Sequence, residues 1–444
     1  MKQGTGRVNL EISGWLWYDK LRMKYSKLIG KTNKMKPADA DSANARLLIQ
    51  AGFVNQLAAG IYTYLPLGLR VLNKVKQIVR EEMEAIDGQE ILMPALTPKD
   101  NWLKTGRWDE IDVLFKLEGA GGKEYALGST HEEIVTPLVQ QYVKSYKDLP
   151  VAVFQIQDKF RNEPRAKSGL LRGREFSMKD LYSFHLDEAD FEDYYEKSKQ
   201  AYLNIFNRCG LDAKIVAASG GEFSKFSHEF QVFTESGEDI VFHCDCGWAE
   251  NKEIAKVKEG DQCPECGKGK VAVDKAIEVG NIFPLKTKFT DAFKFKVTGP
   301  DGKKVDVIMG CYGIGPSRVM GSIVEVHNDE NGIIWPKSVA PFAVEIVTVK
   351  AKDDTVMNRI QDAAEALHHD LEAEGIEVLW DDRDDVSPGE KFADADMIGI
   401  PLRLVISEKT LKEDSVEWKE RASDETQLIK LEKIKEAIES FISE

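Results

Sequence analysis

The stretch Phe160-Arg161-Asn162-Glu163, followed eleven residues after Glu163 by Arg174-Glu175-Phe176, is the most informative part of this sequence. Residues two apart on a β-strand point to the same face, so a strand through Arg161 and Glu163 would present both side chains together. A second strand returning beside it would bring the Phe176 ring to that face. Such a surface can hold a phosphate, hydrogen-bond a purine amino group and stack on the purine ring. Taken alone, the stretch is better explained as an exposed charged hairpin, and the binding surface is favoured only together with the second stretch.

A second informative stretch is Gly310-Cys-Tyr-Gly-Ile-Gly-Pro-Ser-Arg318, which opens a predicted helix from Arg318 to Val326. Glycines allow close approach to the backbone, and a helix N-terminus attracts anions. Arg318 is therefore a candidate ligand for a terminal phosphate. The run is not a P-loop, because the sequence contains no Gly-x4-Gly-Lys-Ser/Thr, and Arg318 stands where a dinucleotide fingerprint needs its third glycine. Tight helix packing is the alternative explanation of the glycines.

Length and composition indicate a soluble globular chain of two or three domains, with 444 residues, 42% apolar and 30% charged. We find no apolar run of membrane-spanning length and no secretion signal in residues 1–20, so we expect a cytoplasmic protein without a membrane partner. The formal charge of −15 means that nucleic acid can be bound only through a local basic patch. Residues 158–179 provide one, with seven basic and three acidic side chains.

Four of the six cysteines form two close pairs, Cys244-x-Cys246 and Cys263-x-x-Cys266, with sixteen residues between them. This spacing is similar to that of a zinc ribbon, in which two knuckles supply four thiolates. The first pair is one residue shorter than usual, and two reduced, metal-free hairpins are the alternative.

Periodicity divides the chain into two structural regions. Apolar residues at helical spacing from Leu69 to Ile86 predict a helix that ends before Gly88, and residues 90–94 predict a short strand closed by a proline. Residues 151–160 predict another strand. Beyond Ala340-Pro341, strands alternate with helices, which is typical of a small α/β domain.

These pieces occur in the order found in class II aminoacyl-tRNA synthetases, and the chain resembles the bacterial prolyl-tRNA synthetases from about Met23 to its end. The resemblance covers the helix, strand and proline of motif 1, Thr130-His-Glu132, both stretches quoted above as motifs 2 and 3, and Ser-His-Glu-Phe-Gln at 227–231. Further matches, Asp381-Asp-Arg383 and residues 398–401, lie in the anticodon-binding region.

The resemblance implies an α+β fold with three parts. Residues 23–340 would form the catalytic domain, an antiparallel sheet flanked by helices with the zinc-ribbon-like insertion at 240–272. Residues 341–444 would form the anticodon-binding α/β domain, and residues 1–22 an extension of unknown role. Relatives of this family are dimers through motif 1, so we also expect a homodimer.

The resemblance also implies the roles of individual residues. Arg161 and Arg318 would be the catalytic residues, which bind the α- and γ-phosphates of ATP, and Arg172 would meet the tRNA acceptor end. The other expected ATP contacts are Glu163, Arg174, Phe176 and Gln231. The expected proline pocket is formed by Thr130, Glu132, His228, Gly280, Phe283 and Cys311.

The implied reaction is the ATP-dependent ligation of L-proline to tRNA(Pro) through a prolyl-adenylate, with Mg²⁺ bridging the phosphates. Most bacterial relatives carry a large editing insertion between motifs 2 and 3. Here only about 78 residues separate residues 227–230 from Ile308, which is too few for such a domain. We therefore expect alanine to be mischarged and a separate trans-editing deacylase to be a further partner.

Three alternatives remain open on the sequence alone. A synthetase for threonine or serine is disfavoured by the Thr-x-Glu element and by the sequence Cys-Tyr-Gly-Ile-Gly in motif 3. A non-catalytic relative would usually have lost an ATP-binding arginine, whereas Arg161 and Arg318 are both present. A zinc-ribbon module for nucleic acid would leave most of the chain unexplained.

Overall fold

The computed structural model describes residues 23–35 and 40–443, and the predicted extension at residues 1–22 lies outside them. The chain divides into two compact units. Of the described residues, the larger comprises those within 29–341 and 392–401, and the smaller comprises residues 23–28, 342–391 and 402–443. No helix among the described residues has both the length and the apolar character that crossing a bilayer requires.

The helices of the described residues are numbered here in chain order. They are α1 Ala43–Gln50, α2 Pro66–Glu84, α3 Lys99–Thr105, α4 Glu132–Tyr142, α5 Glu188–Arg208, α6 Lys288–Ala292, α7 Pro316–Val326, α8 Asp354–Ala373, α9 Pro388–Ile398, α10 Glu408–Lys412 and α11 Ile434–Ser443.

The strands are numbered in the same way. The first eleven are β1 Met23–Lys24, β2 Val54–Ala58, β3 Ile61–Tyr64, β4 Gly88–Glu90, β5 Leu96–Pro98, β6 Lys116–Glu118, β7 Glu124–Leu127, β8 Val151–Phe160, β9 Glu175–His185, β10 Ala213–Ala218 and β11 Ser227–Phe233. The remainder are β12 Asp239–His243, β13 Ala249–Asn251, β14 Ala272–Lys286, β15 Lys296–Thr298, β16 Lys304–Asp306, β17 Ile308–Ile314, β18 Val344–Thr348, β19 Val378–Asp381, β20 Leu402–Ile406, β21 Ser415–Glu420 and β22 Thr426–Lys430.

A nine-stranded sheet organises the larger unit, in the order β11-β10-β13-β12-β14-β17-β9-β8-β4. Its centre, β14-β17-β9-β8, is antiparallel throughout. Successive residues of a strand point to opposite faces. Accordingly, Tyr182 and Phe184 of β9 pack in an apolar cluster with Val135 of α4 and Phe289 of α6. The Lys179 side chain points the other way and contacts Met83 and Tyr202, which lie on α2 and α5. The sheet is therefore covered by helices on both faces.

A six-stranded sheet organises the smaller unit, in the order β1-β19-β18-β20-β21-β22. The first four strands are parallel to one another, whereas β21 is antiparallel to β20 and β22 is antiparallel to β21. Its core contains Ile360 and Leu371 of α8, Trp380 of β19 and Phe441 of α11. The predicted α/β domain is present, and β1 joins its sheet from the other end of the sequence.

Three sequence predictions were wrong in detail. The predicted strand at 90–94 ends at Glu90, because the Met93 N–H is bonded to the Gln155 side chain and Pro94 has no N–H to offer. The strand expected through Arg161 and Glu163 ends at Phe160, since the Asn162 N–H turns away to the Val113 carbonyl. The helix predicted from Arg318 to Val326 begins two residues earlier, at Pro316, and most of the glycine-rich run before it belongs to β17.

Candidate active site

A cavity of about 410 Å³ lies in the larger unit over the centre of the nine-stranded sheet. Four alternate residues of β9 line it, which is what a single strand face provides. These four residues are Phe176, Met178, Asp180 and Tyr182. Nine of the residues predicted for the site line the cavity as well. They are Thr130, Arg161, Glu163, Arg172, Phe176, Gly280, Phe283, Cys311 and Arg318.

Two arginines that are far apart in the sequence, Arg161 and Arg318, share this cavity. The Arg161 guanidinium lies 5.2 Å from the centroid of the Phe176 ring. Burial lowers the pKa of Arg161 from its usual value, and the positive charge of Arg318 acts in the same direction. Two guanidinium groups that line one partly dehydrated cavity are suited to hold an anionic group between them.

Arg318 is the third residue of α7, after Pro316 and Ser317. Its Nε donates to the backbone oxygen of Glu278, and Nη1 donates to the backbone oxygen of Leu171 at 3.1 Å. Nη2 lies 3.8 Å from the Glu278 carboxylate. Backbone contacts from two different segments thus fix the direction of this guanidinium.

Glu163, the expected partner of the adenine amino group, accepts hydrogen bonds from Arg172 Nε and Nη2 at 3.2 and 3.1 Å. Arg174 does not line the cavity. It is anchored to the backbone, since its Nε donates to the Glu163 oxygen at 3.0 Å and its Nη1 to the Ala59 oxygen at 2.9 Å. Arg174 is therefore positioned to hold the motif 2 loop.

The first residue of the Thr-x-Glu element, Thr130, lines the cavity, whereas its last residue, Glu132, lies behind the cavity wall. The Thr130 hydroxyl donates to Glu132 Oε2, and the Cys311 thiol donates to Glu132 Oε1 at 3.2 Å. Glu132 is fully buried, whereas Thr130 and Cys311 both line the cavity. Burial and the neighbouring Glu132 carboxylate raise the pKa of Cys311 well above its usual value. Cys311 is thus a thiol donor here, not a nucleophile.

Within the described part of the chain, Gln231 and His228 also stand outside the cavity lining. Gln231 donates to Glu229 and to Asp239, both at 2.9 Å. His228 Nδ1 lies 2.9 Å from the Tyr195 hydroxyl, and burial lowers the pKa of His228 to about 4. His228 is therefore neutral near pH 7. Gly280 contributes its backbone, since a Cβ there would point towards Tyr202 and Phe206.

The floor of the cavity contains an ion pair that the sequence did not reveal. Lys159 Nζ lies 2.6 Å from Asp180 Oδ1, and Asp180 Oδ2 accepts from the Tyr182 hydroxyl at 3.0 Å. The Tyr182 hydroxyl in turn accepts the His131 N–H at 3.0 Å. Lys159 lies on β8 and Asp180 on β9, the two strands of motif 2. Asp180 shares a strand face with Phe176, so the alternation of side chains along β9 could have predicted that Asp180 belongs to the site.

The two cysteine pairs come together. The Sγ atoms of Cys244 and Cys266 are 3.9 Å apart, those of Cys246 and Cys263 are 3.7 Å apart, and all four lie within 4.8 Å of one another. Four sulfurs bound to one zinc at 2.3 Å in a tetrahedron are about 3.8 Å apart. The donor set and its spacing therefore fit a structural zinc ion.

Comparisons with known proteins agree with this geometry. The family "tRNA synthetase class II core domain (G, H, P, S and T)" matches residues 115–327, and "Anticodon binding domain" matches residues 343–441. The proline–tRNA ligase of Desulfitobacterium hafniense is 33% identical over 576 aligned positions, which cover 95% of this chain and 99% of the relative. That of Psychrobacter arcticus is 34% identical over 571 positions, covering 93% and 99%.

A solved structure with the same fold is that of Giardia lamblia prolyl-tRNA synthetase in complex with prolyl-adenylate, with a TM-score of 0.74. It is 18% identical and covers 89% of this chain and 78% of the other. The alignments to the bacterial relatives are longer than the 444 residues of this chain, so those relatives contain segments that it lacks. The predicted α+β class II fold is confirmed, and the chain belongs to the prolyl-tRNA synthetase family of class II aminoacyl-tRNA synthetases.

Proposed function

We propose that this chain is a proline–tRNA ligase that joins L-proline to tRNA(Pro) through a prolyl-adenylate, and that the cavity lined by Arg161 and Arg318 is its active site. The observation that carries the proposal is the convergence of these two arginines with Phe176 and Glu163 in one cavity. The larger unit is the catalytic domain and the smaller unit is the anticodon-binding domain. Residues 23–28, which the sequence assigned to the catalytic domain, belong to the smaller unit, where β1 pairs with β19. Residues 1–22 are an extension. The enzyme serves translation in the cytoplasm.

ATP lies along the arginine-lined side of the cavity. Arg161 holds the α-phosphate and Arg318 the γ-phosphate, which bends the triphosphate between them. The adenine stacks on Phe176 and offers its amino group to Glu163, while Arg174 and Gln231 support this subsite from outside the cavity wall. The Arg161 guanidinium already lies over Phe176, so a ring and a charge are preorganised together.

Proline binds at the opposite end, where Thr130 and Cys311 present the buried Glu132. A prolinium cation balances this carboxylate, which is costly to leave unpaired in an apolar surrounding. Phe283 and the backbone of Gly280 close the pocket around the ring, and His228 supports the wall from behind through β14.

In the first step, a proline carboxylate oxygen attacks the α-phosphorus of ATP in line and pyrophosphate leaves. The protein supplies orientation and positive charge, not covalent chemistry. In the second step, a terminal ribose hydroxyl of the tRNA attacks the prolyl carbonyl and AMP leaves. The adenylate phosphate accepts the hydroxyl proton, and Arg172 guides the acceptor end. A side-chain substitution that abolishes single-turnover transfer at saturating tRNA, but leaves adenylation and tRNA binding intact, would contradict this proton route.

Two metals complete the proposal. Mg²⁺ neutralises the phosphates when bound, and Glu278 is the carboxylate suited to it, since Mg²⁺ typically takes one or two protein carboxylates and keeps several waters. Glu278 lines the cavity beside Arg318. The four-cysteine cluster binds Zn²⁺. The role of this ion is structural, because four thiolates leave no open coordination position for substrate.

The active form is a homodimer that assembles through motif 1. Leu92, which directly follows the helix and strand of that motif, is 77% exposed in the single chain. This side chain is accessible for contact with a second copy. A separate trans-editing deacylase clears alanyl-tRNA.

Amino-acid-dependent ATP–pyrophosphate exchange, measured across the twenty amino acids, tests the proposal. Proline should give the highest exchange rate. Arg161→Gln and Arg318→Gln should each abolish exchange, and Lys412→Gln, which alters an exposed lysine paired with Glu408 in the smaller unit, should not. Exchange that is fastest with threonine or serine, or absent with every amino acid, would contradict the proposal.

A further inference from the structure

A buried arginine behind the proposed proline pocket has a role that neither the motifs nor the comparisons assign. Arg107 is 3% exposed and lies outside motifs 1, 2 and 3. It follows Gly106, whose φ of 76° ends α3 in a left-handed turn. The Arg107 N–H then bonds back to the Trp102 carbonyl at 3.1 Å. This turn directs the side chain inward, and only glycine adopts it without cost.

The Arg107 guanidinium joins two consecutive buried glutamates. Nη1 donates to Glu133 Oε1 at 2.9 Å and lies 3.6 Å from Glu132 Oε2. The Thr105 hydroxyl also donates to Glu133 Oε1, at 2.8 Å. Both glutamates are fully buried, so these contacts, and not water, compensate for their lost hydration. Glu132 is thereby held from behind by Arg107 and from the cavity side by Thr130 and Cys311.

Aromatic rings enclose the same guanidinium. Its central carbon lies 5.1 Å from the ring centroid of Phe223 and 5.2 Å from that of Phe289. Phe223 lines the cavity, and its ring is 4.7 Å from the ring of Phe283. Arg107 therefore contacts both the carboxylate and the aromatic wall of the proline pocket, without lining the pocket itself.

The charges of this cluster leave a place for one cation. Two carboxylates and one guanidinium sum to a single negative charge inside the protein. Glu133 Oε2 and the Arg107 Nε are both buried without a hydrogen-bond partner in the described chain. A positively charged substrate beside Glu132 balances the remaining charge.

We propose that Arg107 is a positioning residue for proline recognition, which holds the Glu132 carboxylate and the Phe223 ring in place through the buried Arg107–Glu133 pair. This inference rests on the proposed function. It excludes direct contact with the substrate, so its effect is expected on proline binding and not on ATP binding.

The test uses Arg107→Lys, which keeps the charge and loses the planar fork, and Glu133→Gln, which keeps the shape and loses the charge. The matched control is Arg208→Lys, because Arg208 also joins two consecutive glutamates, Glu81 and Glu82, at 2.5 and 2.9 Å, but at the surface. The full-length protein is assayed by proline-dependent ATP–pyrophosphate exchange, with the Tm of each variant recorded.

We expect both cluster variants to raise the KM for proline, by up to about 100-fold as for a mispositioned contact, with the KM for ATP within about twofold of that of the parent enzyme. Arg208→Lys should behave as the parent. Unchanged KM values for proline would overturn the inference, and so would equal rises of both KM values, which indicate a general structural role. If Arg107→Lys does not fold, Glu133→Gln decides by the same criteria. Failure of the parent enzyme to catalyse exchange with proline would instead contradict the proposed function.

Discussion

Arg172 closes on Glu163 with two hydrogen bonds, from Nε at 3.2 Å and from Nη2 at 3.1 Å, both to Glu163 Oε2. One of these residues is proposed to read adenine and the other to meet the tRNA acceptor end. The pair would therefore link two of the three substrates, ATP and tRNA. On this proposal, ATP would displace Arg172 from Glu163, and the released guanidinium would become available to RNA.

We predict that Arg172→Gln lowers the KM for ATP and lowers the rate of transfer to tRNA. Arg172 is about half exposed, and pairs of this kind contribute roughly 1 kcal/mol at most, so the gain in ATP affinity should be no more than about fivefold. Pyrophosphate exchange gives the first value and single-turnover transfer from the preformed adenylate gives the second. The prediction is wrong if ATP binds more weakly in this variant.

We predict that proline binds more tightly as the pH rises from 6 to 8. Burial raises the pKa of Glu133 to about 7, with Arg107 opposing the rise and Glu132 adding to it. Below that pKa the cluster of these three residues is neutral, and above it the cluster carries one negative charge that attracts the prolinium ion. We expect the KM for proline to fall about three- to tenfold across this range.

His131, which precedes Glu132 in the chain, and Lys179 of β9 are also ionisable. Burial lowers the pKa of His131 to about 4, so His131 stays neutral. Lys179 points to the other face of the sheet, and burial lowers its pKa to about 7 as well. The pH profile of the parent enzyme therefore does not distinguish Glu133 from Lys179, and the Glu133→Gln variant must do so. Glu133→Gln should flatten the profile. Glu229→Gln, which alters a half-buried glutamate whose pKa burial raises to about 7, should keep it.

Parts of this fold and site could be predicted from sequence, and the reasons differ from one part to the next. The strand Val151–Phe160 was predicted with its observed ends, because its apolar residues are buried in the sheet. Residues 310–314 form a strand in spite of three glycines within Gly310–Gly315, because β9 and β14 pair with them on both sides. Such tertiary pairing overrides local β-propensity and leaves no signal in the segment itself.

In the active site, too, some contacts could be predicted from the sequence and others could not. Arg161, Glu163 and Phe176 share one cavity as expected, but through the turn after Phe160 and not through strand alternation. The Arg107–Glu133 pair joins residues 26 apart and depends on the turn at Gly106, so residue spacing could not have indicated it.

Zinc content gives a direct test of the cysteine cluster. We predict about one zinc per chain in the reduced protein, falling to near zero in Cys246→Ser, with a lower Tm, because structural zinc binding contributes directly to folding. Cys209→Ala removes a buried cysteine outside the cluster and should retain the metal. Well under one zinc per chain in the parent, measured by elemental analysis without chelators, would contradict the assignment.

Alanine should be activated and transferred, and its product should persist. The chain between β11 and β17 is used for β12, β13, β14, α6 and the β15–β16 hairpin, so the described structure contains no editing domain there. A pocket shaped for proline rejects the smaller alanine by only about 1–3 kcal/mol, so its kcat/KM should be about 10- to 200-fold below that of proline. Incubating alanyl-tRNA(Pro) with the purified enzyme checks the second part, and rapid deacylation would refute it.

The segment before residue 29 should affect tRNA recognition and not amino acid activation. Within the smaller unit, the Ser26 N–H and hydroxyl donate to Asp382 at 3.0 and 2.8 Å, and the Tyr25 ring lies 4.0 Å from the Arg383 guanidinium carbon. Both partners belong to the segment that the resemblance assigns to anticodon recognition.

Removing one hydrogen bond to a charged group costs about 1.5–3 kcal/mol when the group is buried and less when it is partly exposed, so Ser26→Ala should raise the KM for tRNA about three- to tenfold. Pyrophosphate exchange needs no tRNA and should be unchanged. Ser443→Ala, which removes a hydroxyl bonded to the Glu439 carbonyl in the same unit, is the matched control. Because β1 pairs with β19 directly beside this loop, a Ser26→Ala enzyme with the parent's KM for tRNA would mean that the segment supports the sheet alone.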